Sequence, residues 1–559
     1  MTQINILGLN PSGKVPGAKW AVQFGQGRVS VGSIPRYLLL VGNKVTTDIT
    51  VGTVVSNAGT ATADTVVYDI TPDVDADALF GARSELARMI AAARRYTGIR
   101  IKAIACAEVS AGSPVKASAT ITIATTSTSA GTWTYYVDGV AIQTTIASGV
   151  TAANQATAIK NAFNESPNTS VYASVSGAVV TVTFTHPGTR GNECTLYQDV
   201  SEKPGGSTST LASNNTYTVN PGPGGVTGVR LGDGAGTDSV TNVLAALDGQ
   251  TYFTIAFAQI DTTNAALIKT YNDNKAALGS QRYEHIVLGY NGLLADANTL
   301  SDAVNKERFQ LVHQQGSESL PCVLAASMGG LRTQKEQSHP NRRYMADALL
   351  GVAPQRALAD LPSASETGTQ QSALDNGITP VTTTPDGVAV CVRAITTKHL
   401  KTVGNLTIDF YGTLDVGQAR SPDVFAEELE LAWLTDYGAN NEYVDDDPAD
   451  GEPNRPSGVA TPRTWTGYAQ NLGNQKIAAN WFSSVEIASE YDATNKQILC
   501  SIQVEPTPLN YRIAGNIAQT TGSLDHGPGT QPHLPMLDLR RGQEGRHRRV
   551  GRLHHQRQR

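Results

Sequence analysis

"TYFTIAFAQIDTTNAALIKTYNDNKAALGSQRYEHIVLGY" runs from Thr251 to Tyr290. Thr251–Ile260 is a short apolar run that reads as a buried strand, Thr262–Gly279 reads as a helix, and Arg282–Tyr290 reads as a second strand. Upstream, Thr237–Gly249 reads as a further helix. Downstream, Asp296–Gln314 is expected to be helical throughout and Leu320–Leu331 to be a strand. Three such alternations imply an α/β fold with a mostly parallel sheet covered by helices.

The same rhythm starts earlier. "SIPRYLLLVGNKV" (Ser33–Val45) looks like a buried strand. Asp75–Gly98 reads as one helix, with Leu79, Ala82, Leu86, Met89, Ile90 and Ala93 on one stripe, an Asp able to cap its start and Gly98 suited to its end. Ile99–Val109 completes a βαβ-type unit. Between residues 110 and 225 the pattern changes to period-two alternation. It holds one hairpin turn at Asp138-Gly139, one short helix at Thr151–Asn164, and Gly/Pro-rich closing residues. This segment reads as a self-contained, mainly β domain inserted into an exposed host loop. The α/β body is therefore discontinuous, 21–109 and 226–373.

A third pattern begins with "LDNGITPVTTTPDGVAVCVRAITT" (Leu374–Thr397), a strand pair punctuated by turns at Asp375-Asn376-Gly377 and Pro385-Asp386-Gly387. Asn405–Leu414 adds a strand and Ser421–Ala439 a capped helix. An acidic loop, Val444–Gly458, follows. Residues 374–505 read as an α+β C-terminal domain. Beyond Pro506 and Pro508, residues 506–523 end in an alternating strand, "NYRIAGNIAQTT". Residues 1–20 are polar, with Gly8, Pro11, Gly13, Pro16 and Gly17, and read as an extended arm.

Composition narrows the function. Hydrophobic residues make up 40% of the 559, enough for a globular core, and only 16% are charged. A net charge of −6 gives no electrostatic case for nucleic acid. Leu524–Arg559 is the exception, with eight arginines against three acids and a net charge of +5. Cys106, Cys194, Cys322, Cys391 and Cys500 form no C-x-x-C pair, which excludes the usual zinc and redox motifs and suggests small buried hydrophobes in a reducing compartment. The first 20 residues lack a signal-peptide apolar region, and no run reaches the ~18 apolar residues of a membrane span. A cytoplasmic protein is expected, with no membrane insertion, unless a dedicated machine exports it.

Chemistry-bearing patterns are weak. "GDGAGTDS" (Gly232–Ser239) opens a helix as a phosphate loop would, but it lacks the Lys-Ser/Thr of a P-loop and reads as a re-entry turn with a Thr/Asp helix cap. "AASMGG" (Ala325–Gly330) echoes a nucleophile elbow around Ser327 with Ala325 in place of the first glycine. His285, His313, His339 and His399 could supply a base, yet none has a recognisable context. Asp445, Asp446, Asp447, Asp450 and Glu452 could hold a hard cation, but in an EF-hand register Pro448 and Ser457 fall where ligands are required. Arg83, Arg88, Arg94, Arg95, Arg100 and Lys102 read as a solvated helix face, with an acidic partner subunit as the more pointed reading. No catalytic, cofactor-binding or metal-binding residue is assigned, and an enzyme is not expected.

The two ends carry the rest. Lone extended segments expose unpaired backbone groups and become stable by adding to the sheet edge of another copy. Taken with the arm leading to "SIPRYLLLVGNKV", the inserted "ATITIATTSTSAGTWTYYVDGVAIQTTI…HPGTRGN", "LDNGITPVTTTPDGVAVCVRAITT" and "IQVEPTPLNYRIAGNIAQTT", the chain resembles a contractile phage tail sheath protein of the phage Mu-like kind. The resemblance covers most of residues 1–523. It implies a subtilisin-like middle domain that is no protease, an inserted domain on the outer surface, and a C-terminal domain facing the tube. It also implies helical homo-oligomers held by exchanged strands around a tail tube protein, with baseplate and tail terminator proteins as further partners. The setting would be a virion tail assembled in the host cytoplasm, contracting to drive the tube through the target envelope. The alternative kept beside it is a subtilisin-like serine hydrolase. Residues 524–559 depart from the family pattern. They read either as an out-of-frame ending or as a genuine basic tail contacting an acidic tube.

Overall fold

The computed structural model describes residues 36–509 apart from 111, 278–281, 366, 404–405, 410–414, 450–451 and 495, without the side chains of 401–403 and 406–409. Residues 1–20, the 506–523 arm from residue 510 on, and the basic tail lie outside the described residues.

The chain enters on β1 (Tyr37–Asn43), passes a small ribbon, β2 (Ile49–Val51) and β3 (Thr53–Ser56), and reaches β4 (Val67–Ile70). Two helices follow, α1 (Ala76–Phe80) and α2 (Glu85–Ala93), then β5 (Arg100–Cys106), parallel to β1. The single helix expected over Asp75–Gly98 is thus broken. Asp75 caps α1 as expected, but Gly81 stops it at φ +89 against Val45, where a Cβ would approach the Val45 Cβ at 2.6 Å. Ser84 then caps α2 by accepting from the Ala87 amide.

The next strands are β6 (Lys116–Ala124), β7 (Gly131–Val137) and β8 (Val140–Ile146). Asp138 and Gly139, at φ 53 and 74, close the two-residue turn between β7 and β8. Helix α3 (Ala152–Glu165) precedes β9 (Val171–Ser176), β10 (Val179–Pro187), β11 (Thr195–Asp199), β12 (Thr208–Ala212) and β13 (Thr227–Arg230). These strands form two four-stranded sheets, β12-β6-β10-β9 and β13-β11-β7-β8. The buried side chains of these sheets and of α3, Trp133 and Phe163 among them, are continuous with the apolar layer on one face of the main sheet.

The alternation then resumes with α4 (Thr241–Leu247), β14 (Thr254–Phe257), α5 (Thr262–Ala276), β15 (His285–Tyr290), α6 (Leu294–Val304) and β16 (Phe309–His313). The helix expected over Asp296–Gln314 ends at Asn305, whose left-handed conformation (φ 41, ψ 58) turns the chain into β16. The strand expected at Leu320–Leu331 is part of helix α7 (Pro321–Glu336), with Pro321 at its first position. Its apolar run is buried on all sides, so it carries no period from which helix and strand could be told apart.

Then come β17 (Asp347–Ala348), α8 (Thr369–Asp375), β18 (Ile378–Thr383) and β19 (Ala389–Cys391). The main sheet has the order β17-β19-β18-β16-β15-β14-β1-β5-β4, parallel from β5 to β18. The Leu374–Thr397 stretch therefore supplies a parallel strand and a hairpin to this sheet, which runs across the residue where the sequence reading begins a C-terminal domain. Leu38 and Leu40 of β1 face one apolar layer, and Leu39 and Val41 the other. Burial on both faces is why these strands read as unbroken apolar runs.

A ribbon, β20 (Leu400–Val403) and β21 (Leu406–Asp409), leads to α9 (Val416–Ala432). This helix starts five residues before the expected Ser421 and takes Pro422 inside it. It continues through a wide turn (Trp433–Tyr437) into α10 (Gly438–Asn440). Short strands β22 (Tyr443–Val444) and β23 (Val459–Ala460) precede α11 (Pro462–Ala478), β24 (Phe482–Asp492) and β25 (Gln497–Pro506). The sequence reading named none of these last elements, and its alternating strand beyond Pro508 lies outside the described residues. A third apolar cluster, including Phe425, Trp465, Trp481 and Phe482, holds this region together. Cys106, Cys194, Cys322 and Cys391 are buried, whereas Cys500 on β25 is exposed, contrary to expectation.

Candidate functional site

In open α/β sheets, ligands bind outside the carboxyl ends of the strands where strand order reverses. Here that point lies between β1 and β14, since the first crossover runs from β1 to β5 and the chain then returns to the other side of β1. The crevice is filled by a side chain of the inserted segment. Arg190, from the turn after β10, donates from Nη2 to Asn43 Oδ1 (2.8 Å) and Glu85 Oε2 (2.8 Å), from Nε to Glu85 Oε1 (3.0 Å), and from Nη1 to Asp238 Oδ1 (2.5 Å). Gln259 joins from below, donating to Asn43 Oδ1 and Asp238 Oδ2, each at 3.0 Å. Burial alone would raise the Asp238 carboxyl, but the Arg190 guanidinium overrides it and holds the pKa below the usual range.

This corner absorbs the glycine-rich stretch. The glycines of Gly232–Ser239 let two backbones meet: a Cβ on Gly232 would lie 2.6 Å from the Asn215 amide nitrogen, and one on Gly234 would lie 2.5 Å from the Gly188 carbonyl. The expected Thr/Asp helix cap is replaced. Val240 occupies the cap of α4 without a side-chain bond, and Asp238 is spent on Arg190. Arg83 also leaves its expected solvated face. It is fully buried and donates to Thr169 Oγ1 (2.9 Å) and to the carbonyls of Phe163, Asn164 and Val171, clamping α3 and β9 to the body. Of its sequence neighbours, Arg94 binds the Thr71 and Val74 carbonyls and Lys102 pairs with Asp69.

The candidate catalytic residues are dispersed. Ser327 is fully buried in α7, shares a hydrogen bond with the Tyr96 hydroxyl (2.8 Å) and donates to the Leu350 carbonyl (3.0 Å), so no base reaches it. His285 lies between Arg332 Nη2 and Asp423 Oδ2, each at 2.9 Å. Burial, aided by Arg420, Arg332 and Arg308, pushes its pKa well down, so it is a neutral spacer. His313 contacts the Gly292 carbonyl, His339 the Ala479 carbonyl, and His399 both Asp302 and the Thr397 carbonyl. The acidic loop is structural where it is described: Asp447 accepts from the Arg463 amide at the start of α11, and Asp445 pairs with Arg455. Among the described residues no group of three or more His, Cys, Asp or Glu side chains could hold a metal ion.

A second buried network joins the last third of the chain to the main sheet. Arg420 of α9 donates from Nε to Glu336 Oε2 (3.0 Å) and from Nη2 to the Phe253 carbonyl (2.6 Å). Glu336 also binds Arg332 Nε (2.7 Å) and the Tyr344 hydroxyl (2.8 Å), and Asp423 binds Arg308 twice. No spacing motif marked Arg190, Asp238, Arg420 or Glu336 beforehand. The one available signal was a polar residue, Asn43, at the end of an apolar strand.

Beyond this network stands the β24–β25 hairpin, with ten residue pairs from Phe482↔Pro506 to Asp492↔Gln497. One face packs on α9 and α11 through Val485, Ile487, Ile502 and Val504. The other leaves Glu486, Ala488, Glu490, Leu499, Ser501, Gln503 and Glu505 exposed. Neither strand has a second strand neighbour among the described residues. At its base, the Asn341 amide donates to the Trp481 and Thr507 carbonyls (3.1 and 3.0 Å).

No protein-family model matches the chain, and no curated protein does. Among solved structures it is similar to the sheath tail protein of Desulfitobacterium hafniense, with 11% identity, a TM-score of 0.42, and coverage of 88% of this chain and 100% of that one.

Proposed function

We propose that this chain is a structural subunit of a contractile tail sheath, polymerising helically around a tail tube by strand exchange. The observation that carries the reading is the β24–β25 hairpin, a two-stranded ladder on a helical support in which neither strand has a second strand neighbour among the described residues. Free edges are templates for a further strand. The arms 1–20 and 506–523 are the donors in this reading, and their patterning suits an added strand. Each added backbone hydrogen bond nets only ~0.5–1.5 kcal/mol, so a handful per arm holds a mesh while leaving the bodies free to rotate. Contraction is then a concerted switch between two packings of the bodies, summed over many copies. The partners are the tube protein and the baseplate and terminator proteins that bound the polymer. Assembly takes place in the host cytoplasm and the product is a virion tail.

The division into a body (21–109 and 226–373), an outer inserted domain (110–225) and a tube-facing domain (374–505) belongs to the same proposal. The serine-hydrolase alternative loses its nucleophile, because Ser327 is sealed inside a helix with Tyr96 and Leu350. Negative-stain microscopy of the purified chain tests the reading. Hollow striated cylinders are expected, and deleting residues 1–20 should leave a folded, soluble subunit that forms none. Normal cylinders from that deletion would refute the role of the arm.

A further inference from the structure

At the carboxyl ends of β15 and β16 there is a cavity of roughly 230 Å³ that the proposed assembly does not use. Its walls include Leu294, Leu361, Pro362 and Pro380, and two of its polar side chains, Asp360 and His313, offer acceptors. Asp360, only 4% exposed, offers Oδ1 to the side-chain amides of Asn220 (2.8 Å) and Gln315 (3.3 Å), while its Oδ2 has no hydrogen bond. No Lys, Arg or His pairs with this carboxylate among the described residues. Arg356, four residues earlier, is committed to Glu318 and to the face of the Tyr136 ring (3.5 Å). His313, 7% exposed, uses Nε2–H on the Gly292 carbonyl (2.9 Å), which leaves Nδ1 as a lone-pair acceptor. Burial pushes its pKa down to about 4, so the ring is neutral at physiological pH and does not itself compensate Asp360.

A buried carboxylate without a cation is costly, and burial is normally accepted only when a charge partner is supplied. We propose that this cavity binds a small organic cation, an alkylguanidinium or alkylammonium group, whose N–H donors reach Asp360 Oδ2 and His313 Nδ1 while its aliphatic stem lies along Leu361, Pro362 and Pro380. The volume sets the class. It falls below the ~300–1,000 Å³ of pockets for drug-sized ligands, and it is several times the ~30 Å³ share of one water. One cationic head with a few methylenes fits. The same chemistry is presented by a free amine or by a Lys or Arg side chain of another copy.

Calorimetric titration of the full chain with isoamylammonium is the test, with isoamyl alcohol as an uncharged probe of the same apolar walls. Isoamylammonium should bind and isoamyl alcohol should not. Asp360→Asn should weaken isoamylammonium by roughly 10- to 100-fold, the range expected for losing a charge-assisted hydrogen bond. Ala373→Leu, which fills the cavity and leaves the carboxylate intact, should abolish binding and keeps the proposal testable if the first variant does not fold. Repeating the titration on assembled material separates the sources. Uptake that persists identifies a free cation, and uptake lost on assembly identifies a side chain from a neighbouring copy. Failure of isoamylammonium to bind the unaltered chain, or undiminished binding to folded Asp360→Asn, would overturn the assignment.

Discussion

The β6–β13 segment and the β24–β25 hairpin are both β additions to one α/β sheet, yet they finish their hydrogen bonding in opposite ways. The first closes on itself in two four-stranded sheets with α3 between turns, and its Trp133 indole donates inside the core to Gln155 (3.0 Å). Its contact with the body is held by Arg190 and Arg83, whose guanidinium groups donate to carboxylates, backbone carbonyls, the Asn43 amide oxygen and the Thr169 hydroxyl. The second is a ladder of two strands. A hairpin of that size is marginal alone and needs helices beneath it or strands beside it. Here the helices are supplied and the strands are not. The contrast separates a module that is complete within one chain from one whose backbone is only half committed.

The strongest test of that contrast is to cut the support beneath the hairpin. Glu336→Ala leaves Arg332 and Arg420 buried without their carboxylate, and should cost about 3–5 kcal/mol. Urea unfolding with separate probes should show α9, α11 and the hairpin lost first and the β6–β13 sheets last; the reverse order would break the comparison. A smaller loss, about 2–3 kcal/mol after allowance for partial exposure, is expected from Arg190→Met, which strands Glu85 and Asp238. Limited proteolysis should then cut near residues 110 and 226 before it cuts the hairpin.

Acidity probes both junctions at once. Burial raises Glu193, beside Arg190, and Glu427, on α9, each from 4.5 to about 7. The folded chain therefore keeps protons that the unfolded chain has already released. Their stabilising share is whole below pH 4.5 and is lost as pH rises toward 7. Glu193→Gln and Glu427→Gln should each raise the unfolding midpoint at pH 8 and leave it unchanged at pH 4, by on the order of 1–2 kcal/mol. The two effects should add, since the residues sit in different networks. Non-additive gains would mean the junctions are coupled. The smallest effect is expected at Asp447→Ala, about 1 kcal/mol from the lost contact to the first turn of α11, read as a shift in melting temperature.

Sequence patterning made the main sheet legible because burial on both faces writes uninterrupted apolar strands, as in Leu38–Val41 and Ile286–Leu288. The same property concealed α7, where Cys322–Met328 is buried on every side and so has no helical stripe. Asp138-Gly139 was readable because a two-residue turn with positive φ tolerates few residue types. Gly81 and Asn305 were not, since a helix stop inside an apolar run is decided by what packs there. That His285, His313, His339 and His399 have separate surroundings could be read from their lack of a shared context. The Arg190 and Glu336 networks could not, because ion pairs between residues more than a hundred or about eighty positions apart leave no local trace.

Asn341 has a mechanical consequence. Strand β24 enters and β25 leaves at the same end of the hairpin, so a pull on the chain beyond Thr507 would peel the ladder open one rung at a time, the weakest way to load it. The Asn341 amide grips the carbonyls of Trp481 and Thr507 together, and the Thr507 amide closes on Trp481 (3.1 Å). Tension arriving from that side is therefore met first by a rivet anchored in the loop after α7 and is passed into the large sheet, sparing the rungs behind it.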